Sequence, residues 1–173
     1  MLTPSQQKWV DHLSDTNKVE IFPFDPKCNE KFEKIKSQIQ SAIGIELEIL
    51  HRGASSLGIS GQREIDVYIP LPPEQIEELA PKMERVFGKP TSIYLLERTK
   101  FLVKIDGTTV EIMLINKKHK GWIDGETFMS YLKENPDALE QYRILKEEAT
   151  GVSTREYYTR KINFINEILS KVE

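Results

Sequence analysis

Hydrophobic and polar positions along this chain repeat with two different periods, and the changes of period predict its elements. Residues 4–14 read as a short helix with Pro4 near its start. Val19-Glu20-Ile21-Phe22 alternates like a strand or an extended arm, and Asp25-Pro26 marks a turn. Phe32, Ile35, Ile39, Ala42 and Ile43 recur at helical spacing, with Asn29 as the expected cap and Gly44 as the stop. Leu47 to Leu50 reads as a first central strand, and residues 65–69 as a second that Pro70 and Pro72 should end. A helix is predicted over 73–87, with Pro81 expected to kink or interrupt it. Strands follow at Ser92–Leu96, Phe101–Ile105 and Thr109–Ile115, the last two joined as a hairpin by Asp106-Gly107. Segments 125–134, 136–149 and 154–171 are helical, split by Asn135-Pro136 and Gly151. The pattern predicts one α+β domain over 1–173: a mixed β-sheet flanked by helices, with 122–173 as a C-terminal helical subdomain.

One stretch departs from plain alternation. In HRGASSLGISGQREIDVYI, from His51 to Ile69, a loop of small residues runs into a strand bearing Glu64 and Asp66. Side chains two apart on a strand share a face. Two readings fit this pair. Polar positions of a half-buried strand face water, or the carboxylates form a site. Glu111, the sole charge in Thr109–Ile115, adds weight to the second if its strand neighbours 65–69. Three clustered carboxylates repel one another, and a divalent cation is their natural compensation. Oxygen ligands suit Mg²⁺ or Mn²⁺. Gly53, Ser55 and Ser56 allow the tight backbone that cradles a phosphate, or make an ordinary surface loop. Arg52 and Arg63 flank that loop, as phosphate partners or as solvated arginines.

Composition narrows the classes. The chain has 173 residues, 39% apolar and 29% charged, which is ordinary for a globular domain with one core. A net charge of −3 argues against a strongly basic nucleic-acid binder. No apolar run approaches the ~20 residues that span a bilayer, and the start lacks the apolar core of a signal peptide, so no membrane role and a cytoplasmic location are expected. Cys28 is the sole cysteine, which removes intrachain disulfides and multi-cysteine metal clusters. No Gly-x-x-x-x-Gly-Lys-Ser/Thr segment is present, against a Walker-type kinase.

The turn Gly53-Ala54-Ser55-Ser56, the pair Glu64-Ile65-Asp66 and the later Glu111 resemble the signature of the polymerase-β-like nucleotidyltransferases. There the carboxylates hold divalent metals and the turn contacts nucleotide phosphates. Alanine stands here where serine usually follows the glycine, and glutamate where the first carboxylate is commonly aspartate. More closely, the chain resembles the GrpB-like family in three ordered blocks: residues 19–44, 51–69, and FMSYLKENPDALEQYRILKEEA with REYYTRKINFINEIL. Many members of that family keep the aspartate of the pair but lack an acid at the Glu64 position.

The resemblance implies a nucleotidyltransferase-like fold. It also implies a metal-dependent transfer of a nucleoside monophosphate from an NTP to an acceptor hydroxyl on a small molecule, protein or RNA. Glu64, Asp66 and Glu111 would be the catalytic and metal-binding acids. Gly53, Ser55, Ser56, Arg52, Arg63, His51 and Lys161 would bind the nucleotide. A non-catalytic nucleotide-binding or protein-interaction module of the same fold is the alternative. His51 fits a loop-orienting role, a phosphate donor or a satisfied core histidine. Lys161 matches a family position on the last helix, and also reads as a solvated lysine. Lys100, Lys104 and the run Lys117-Lys118-His119-Lys120 extend a positive rim. Trp122 either stacks on a base or anchors the next helix.

Overall fold

The computed structural model describes residues 1–172. Twelve elements are assigned among them. They are α1 (Pro4–Asp11), α2 (Cys28–Ile43), β1 (Leu50–Arg52), α3 (Gly53–Ser56), β2 (Glu64–Leu71), α4 (Pro73–Phe87), β3 (Ser92–Tyr94), β4 (Arg98–Ile105), β5 (Thr108–Asn116), α5 (Lys120–Glu134), α6 (Pro136–Glu147) and α7 (Thr154–Leu169). Two compact units emerge: residues 24–59 with 63–123, and residues 1–23 with 60–62 and 124–172.

The first unit holds the sheet, in the order β1-β2-β5-β4-β3. β2 and β5 run parallel, and the other neighbours pair antiparallel. Strict alternation on β2 buries Ile65, Val67, Ile69 and Leu71 on one face. Val110, Ile112 and Leu114 of β5 and Phe101 of β4 join them. α2 covers this face with Phe32, Ile35 and Ile39, and α4 with Ile76, Leu79 and Met83. Each fully buried side chain of this size contributes about 1.5–3 kcal/mol, so this face carries most of the unit's hydrophobic stabilisation.

Several boundaries differ from the expectation, each for a local reason. The strand expected at Leu47–Leu50 lies at Leu50–Arg52, on the sheet edge rather than its centre. Pro70 does not end β2, which runs through it to Leu71 in register with Asn116. β1 pairs with β2 only as far as Tyr68, so Pro70 sits where β2 has no neighbour on that side. Asn29 does not cap α2. Lys27 is the cap residue, and its amide donates to the Asp25 carboxylate at 2.9 Å. Pro81 leaves α4 unbroken. The stretch 19–22, expected as a strand or an extended arm, is the arm, held by two isolated bridges, Lys18 to Ser153 and Phe22 to Gly61. The Asp106-Gly107 hairpin is present, with both residues at positive φ (49° and 77°) as a type I′ turn requires.

In the second unit α1 meets α7, with Trp9 edge-on to Tyr158. Its start carries a capping box between Thr3 and Gln6. Phe128, Tyr142 and Phe164 form an aromatic cluster across α5, α6 and α7. Lys146 is only 4% exposed; its ammonium donates to the Tyr157 hydroxyl at 2.9 Å and faces the Tyr142 and Tyr157 rings. No described helix is long and apolar enough to cross a membrane.

Candidate functional site on the acidic face of the sheet

The face of β2 opposite the core carries Glu64, Asp66 and Tyr68. Parallel pairing sets Asp66 directly against Glu111 of β5, and Glu64 against Thr109. On the other side Arg52 of β1 stands in register with Asp66. One row across the sheet therefore reads Arg52, Asp66, Glu111 and Leu102. The adjacency of Asp66 and Glu111, left open by the sequence, follows from the register.

The glycine turn is a single helical turn, α3, placed between β1 and β2. Gly53 has φ of +70°, a backbone region in which side chains are strained. The space matters more. A Cβ on Gly53 would lie 1.7 Å from Oδ2 of Asp66, an impossible overlap. The Asp66 carboxylate thus fills the volume that any other residue at 53 would need. This contact ties the turn to the acid with which the signature pairs it.

The hydroxyls of the turn are used differently. Ser56 donates to the Gly53 carbonyl at 2.9 Å, which closes the turn on itself. Ser55 Oγ lies 2.9 Å from Nε2 of His51. His51 points to the core face beside Val67, and its ring stacks on Phe32 at 4.8 Å. Burial, reinforced by the positive Arg52, lowers its pKa to about 4. The imidazole is therefore neutral near pH 7, as a core histidine and as the support of Ser55. The buried Cys28 thiol reaches the Ser55 carbonyl at 3.5 Å.

Glu111 has a second neighbour. Lys100 of β4 approaches its carboxylate at 3.0 Å, with both side chains about one-fifth to one-quarter exposed. This lysine supplies charge compensation that the sequence reading assigned to a metal. Among the described residues, no three acidic, histidine or cysteine side chains converge as a metal centre. The donor set fits a single hydrated divalent ion on one or two carboxylates, the usual mode of Mg²⁺ with phosphates. It does not fit a pre-assembled three-acid centre.

Trp122 lies at the start of α5, 6.0 Å from the Tyr68 ring, with the Arg52 guanidinium 5.8 Å from its indole. These aromatics flank the acidic row. Tyr68 escaped the sequence reading, although it continues the 64, 66, 68 alternation. Arg63 precedes β2 at φ 60°. Lys161 belongs to the other unit, where its ammonium stands 5.4 Å from the Tyr158 ring.

A mixed sheet with a glycine turn packed on a strand carboxylate, itself paired with an acid on the neighbouring strand, defines a nucleotidyltransferase-like α+β fold. The model of the GrpB protein family matches residues 18–171, and the chain belongs to that family. The crystal structure of conserved protein GrpB from Enterococcus faecalis is similar in fold, at TM-score 0.68 and 18% identity, covering 88% of this chain and 99% of that one. No curated protein matches the chain.

Proposed function

We propose that the chain binds a nucleoside triphosphate on this acidic face, with Mg²⁺ or Mn²⁺, and transfers the nucleoside monophosphate to an acceptor hydroxyl. The observation that carries this reading is the interlock of Gly53 with Asp66, which sets a small-residue turn against a carboxylate. Ser55 is the hydroxyl available to a phosphate oxygen, since Ser56 already donates to Gly53. The His51 tautomer that carries its proton on Nε2 donates to Ser55 Oγ and leaves the serine proton for the anion. Arg52 adds positive charge at the same row. Tyr68 and Trp122 offer a base its stacking wall. The cation would be held by Asp66 with Glu64 or Glu111 and would neutralise phosphate charge. Arg63, which precedes β2, is a further candidate phosphate contact. The acceptor is a small molecule, a protein or an RNA.

One observation favours a second reading, nucleotide binding without transfer. Lys100 occupies Glu111, the third acid. Calorimetry with ATP, GTP, CTP and UTP, each with Mg²⁺ or Mn²⁺, tests both. Asp66→Asn should weaken cation-dependent nucleotide binding by about a hundredfold, ~2.7 kcal/mol. Binding unchanged in Asp66→Asn, or absent in the parent protein, would sink the proposal. Binding with no pyrophosphate release across candidate acceptors would select the second reading.

A further inference from the structure

We propose that the groove between α4 and the turn joining β3 to β4 docks a segment of a partner protein that carries leucine-like anchors flanked by lysine or arginine. The groove holds about 270 Å³, and its walls include Ala80, Pro81 and Ile93. Its lining exposes four consecutive large apolar residues: Ile93 at 61%, Tyr94 at 46%, Leu95 at 84% and Leu96 at 72%. Such a contiguous patch on a sheet edge is unusual where nothing binds.

The turn is also held in an unfavourable shape. Leu96 has φ of 61°, a left-handed conformation rare for a bulky residue. Asn116, 9% exposed, pins it by donating its side-chain amide to the Leu96 carbonyl at 2.7 Å. The Asn116 backbone amide donates to the Glu97 carbonyl at 2.8 Å. A strained, anchored turn that presents leucines to solvent is a feature of recognition surfaces.

Charge selects the occupant. Glu77 and Glu84 of α4 both line the groove, two turns apart on one helix face, with Ala80 and Pro81 between them. Among the described residues neither enters an ion pair. Arg98, the groove's cation, is engaged by the adjacent Glu97 at 3.6 Å and by the Tyr94 ring at 4.6 Å. Two uncompensated carboxylates thus bracket an apolar centre. A basic, apolar segment complements that pattern, whereas a second copy of this chain brings its own net charge of −3.

The test uses amide chemical shifts of the full chain, titrated with a blocked Lys-Ala-Leu-Leu-Ala-Lys peptide and its Glu-Ala-Leu-Leu-Ala-Glu counterpart. The lysine peptide is expected to give saturable shifts confined to residues 92–97 and the facing side of α4. The glutamate peptide should bind at least about tenfold more weakly, a difference of ~1.4 kcal/mol. Leu95→Asp should abolish the shifts, and Glu77→Lys with Glu84→Lys should reverse the peptide preference. All three side chains are exposed, so the fold survives these changes. Absence of saturable shifts, equal binding of both peptides, or shifts outside the groove would overturn the proposal. Concentration-dependent dimerisation that Leu95→Asp removes would overturn it in favour of self-association.

Discussion

The two faces of β2 and β5 are built from alternate residues of the same few peptides, yet they do opposite work. On one side Ile65, Val67, Ile69, Val110, Ile112 and Leu114 are buried under α2 and α4. On the other side Glu64, Asp66, Tyr68 and Glu111 stay partly open to solvent. The core face sets the register, because a one-residue slip would turn every apolar side chain outward. That same register places Asp66 against Glu111. The acids thus gain their positions from packing they do not share, and the two faces should respond differently to substitution.

The strongest contrast is expected from Ile112→Ala on the core face. Ile112 is fully buried, so the loss is about 2–5 kcal/mol in urea unfolding. Asp66→Asn, one row away on the other face, should move stability by no more than ~1 kcal/mol while weakening cation-dependent nucleotide binding about a hundredfold. Equal destabilisation by both would break the division of labour. Next comes Gly53→Ala, where the missing Cβ space belongs to Asp66. It should cost roughly 2–3 kcal/mol and abolish nucleotide binding. Gly44→Ala is the control: it has nearly the same φ, +71°, and nothing within 4 Å of the added carbon. It should cost only the backbone strain, ~1 kcal/mol. If the two variants match, the Gly53–Asp66 contact is not the cause.

A pH titration probes the place where the core face meets the turn. The unfolded imidazole takes a proton near pH 6.5, whereas the folded His51 resists protonation until about pH 4. Stability should therefore fall as pH drops through that window and stay level above it. His51→Gln should remove the His51 contribution to this slope, measured by urea unfolding at pH 4.5, 5.5 and 7.5. The smallest effect belongs to Lys100→Met. The partly exposed Lys100–Glu111 pair contributes about 1 kcal/mol or less to stability. Its removal frees Glu111, and Mg²⁺ affinity should rise a few-fold in calorimetry. An unchanged affinity would leave Glu111 outside the cation site.

Much of the sheet was legible in advance. The Asp106-Gly107 hairpin, β2 and the helical spacing of α2 depend on short-range chemistry, and the structure follows them closely. The acids were legible because charges inside apolar alternation are costly. What lay beyond the sequence was tertiary. Lys100 reaches Glu111 only because β4 pairs beside β5, a relation with no local signal. Pro70 is tolerated because β1 is too short to cover it, and that shortness depends on where α3 turns the chain. Tyr68 continues the 64, 66, 68 alternation, but its ring partner Trp122 lies 54 residues away and gives it no local signal. Ser55 and Ser56 looked equivalent until their partners, His51 and Gly53, separated them.

The parallel pairing of β2 with β5 has a kinetic consequence. β4 and β5 are joined by a two-residue turn and can zip together locally. β2 and β5 must first close a long loop through α4, β3 and β4, which costs chain entropy before any pairing repays it. Asp66 and Glu111 therefore meet late in folding, on the slowest ladder of the sheet. A nascent or partly unfolded chain would hold its hairpin and still lack the paired acids, so the proposed nucleotide binding would report completed folding rather than hairpin formation.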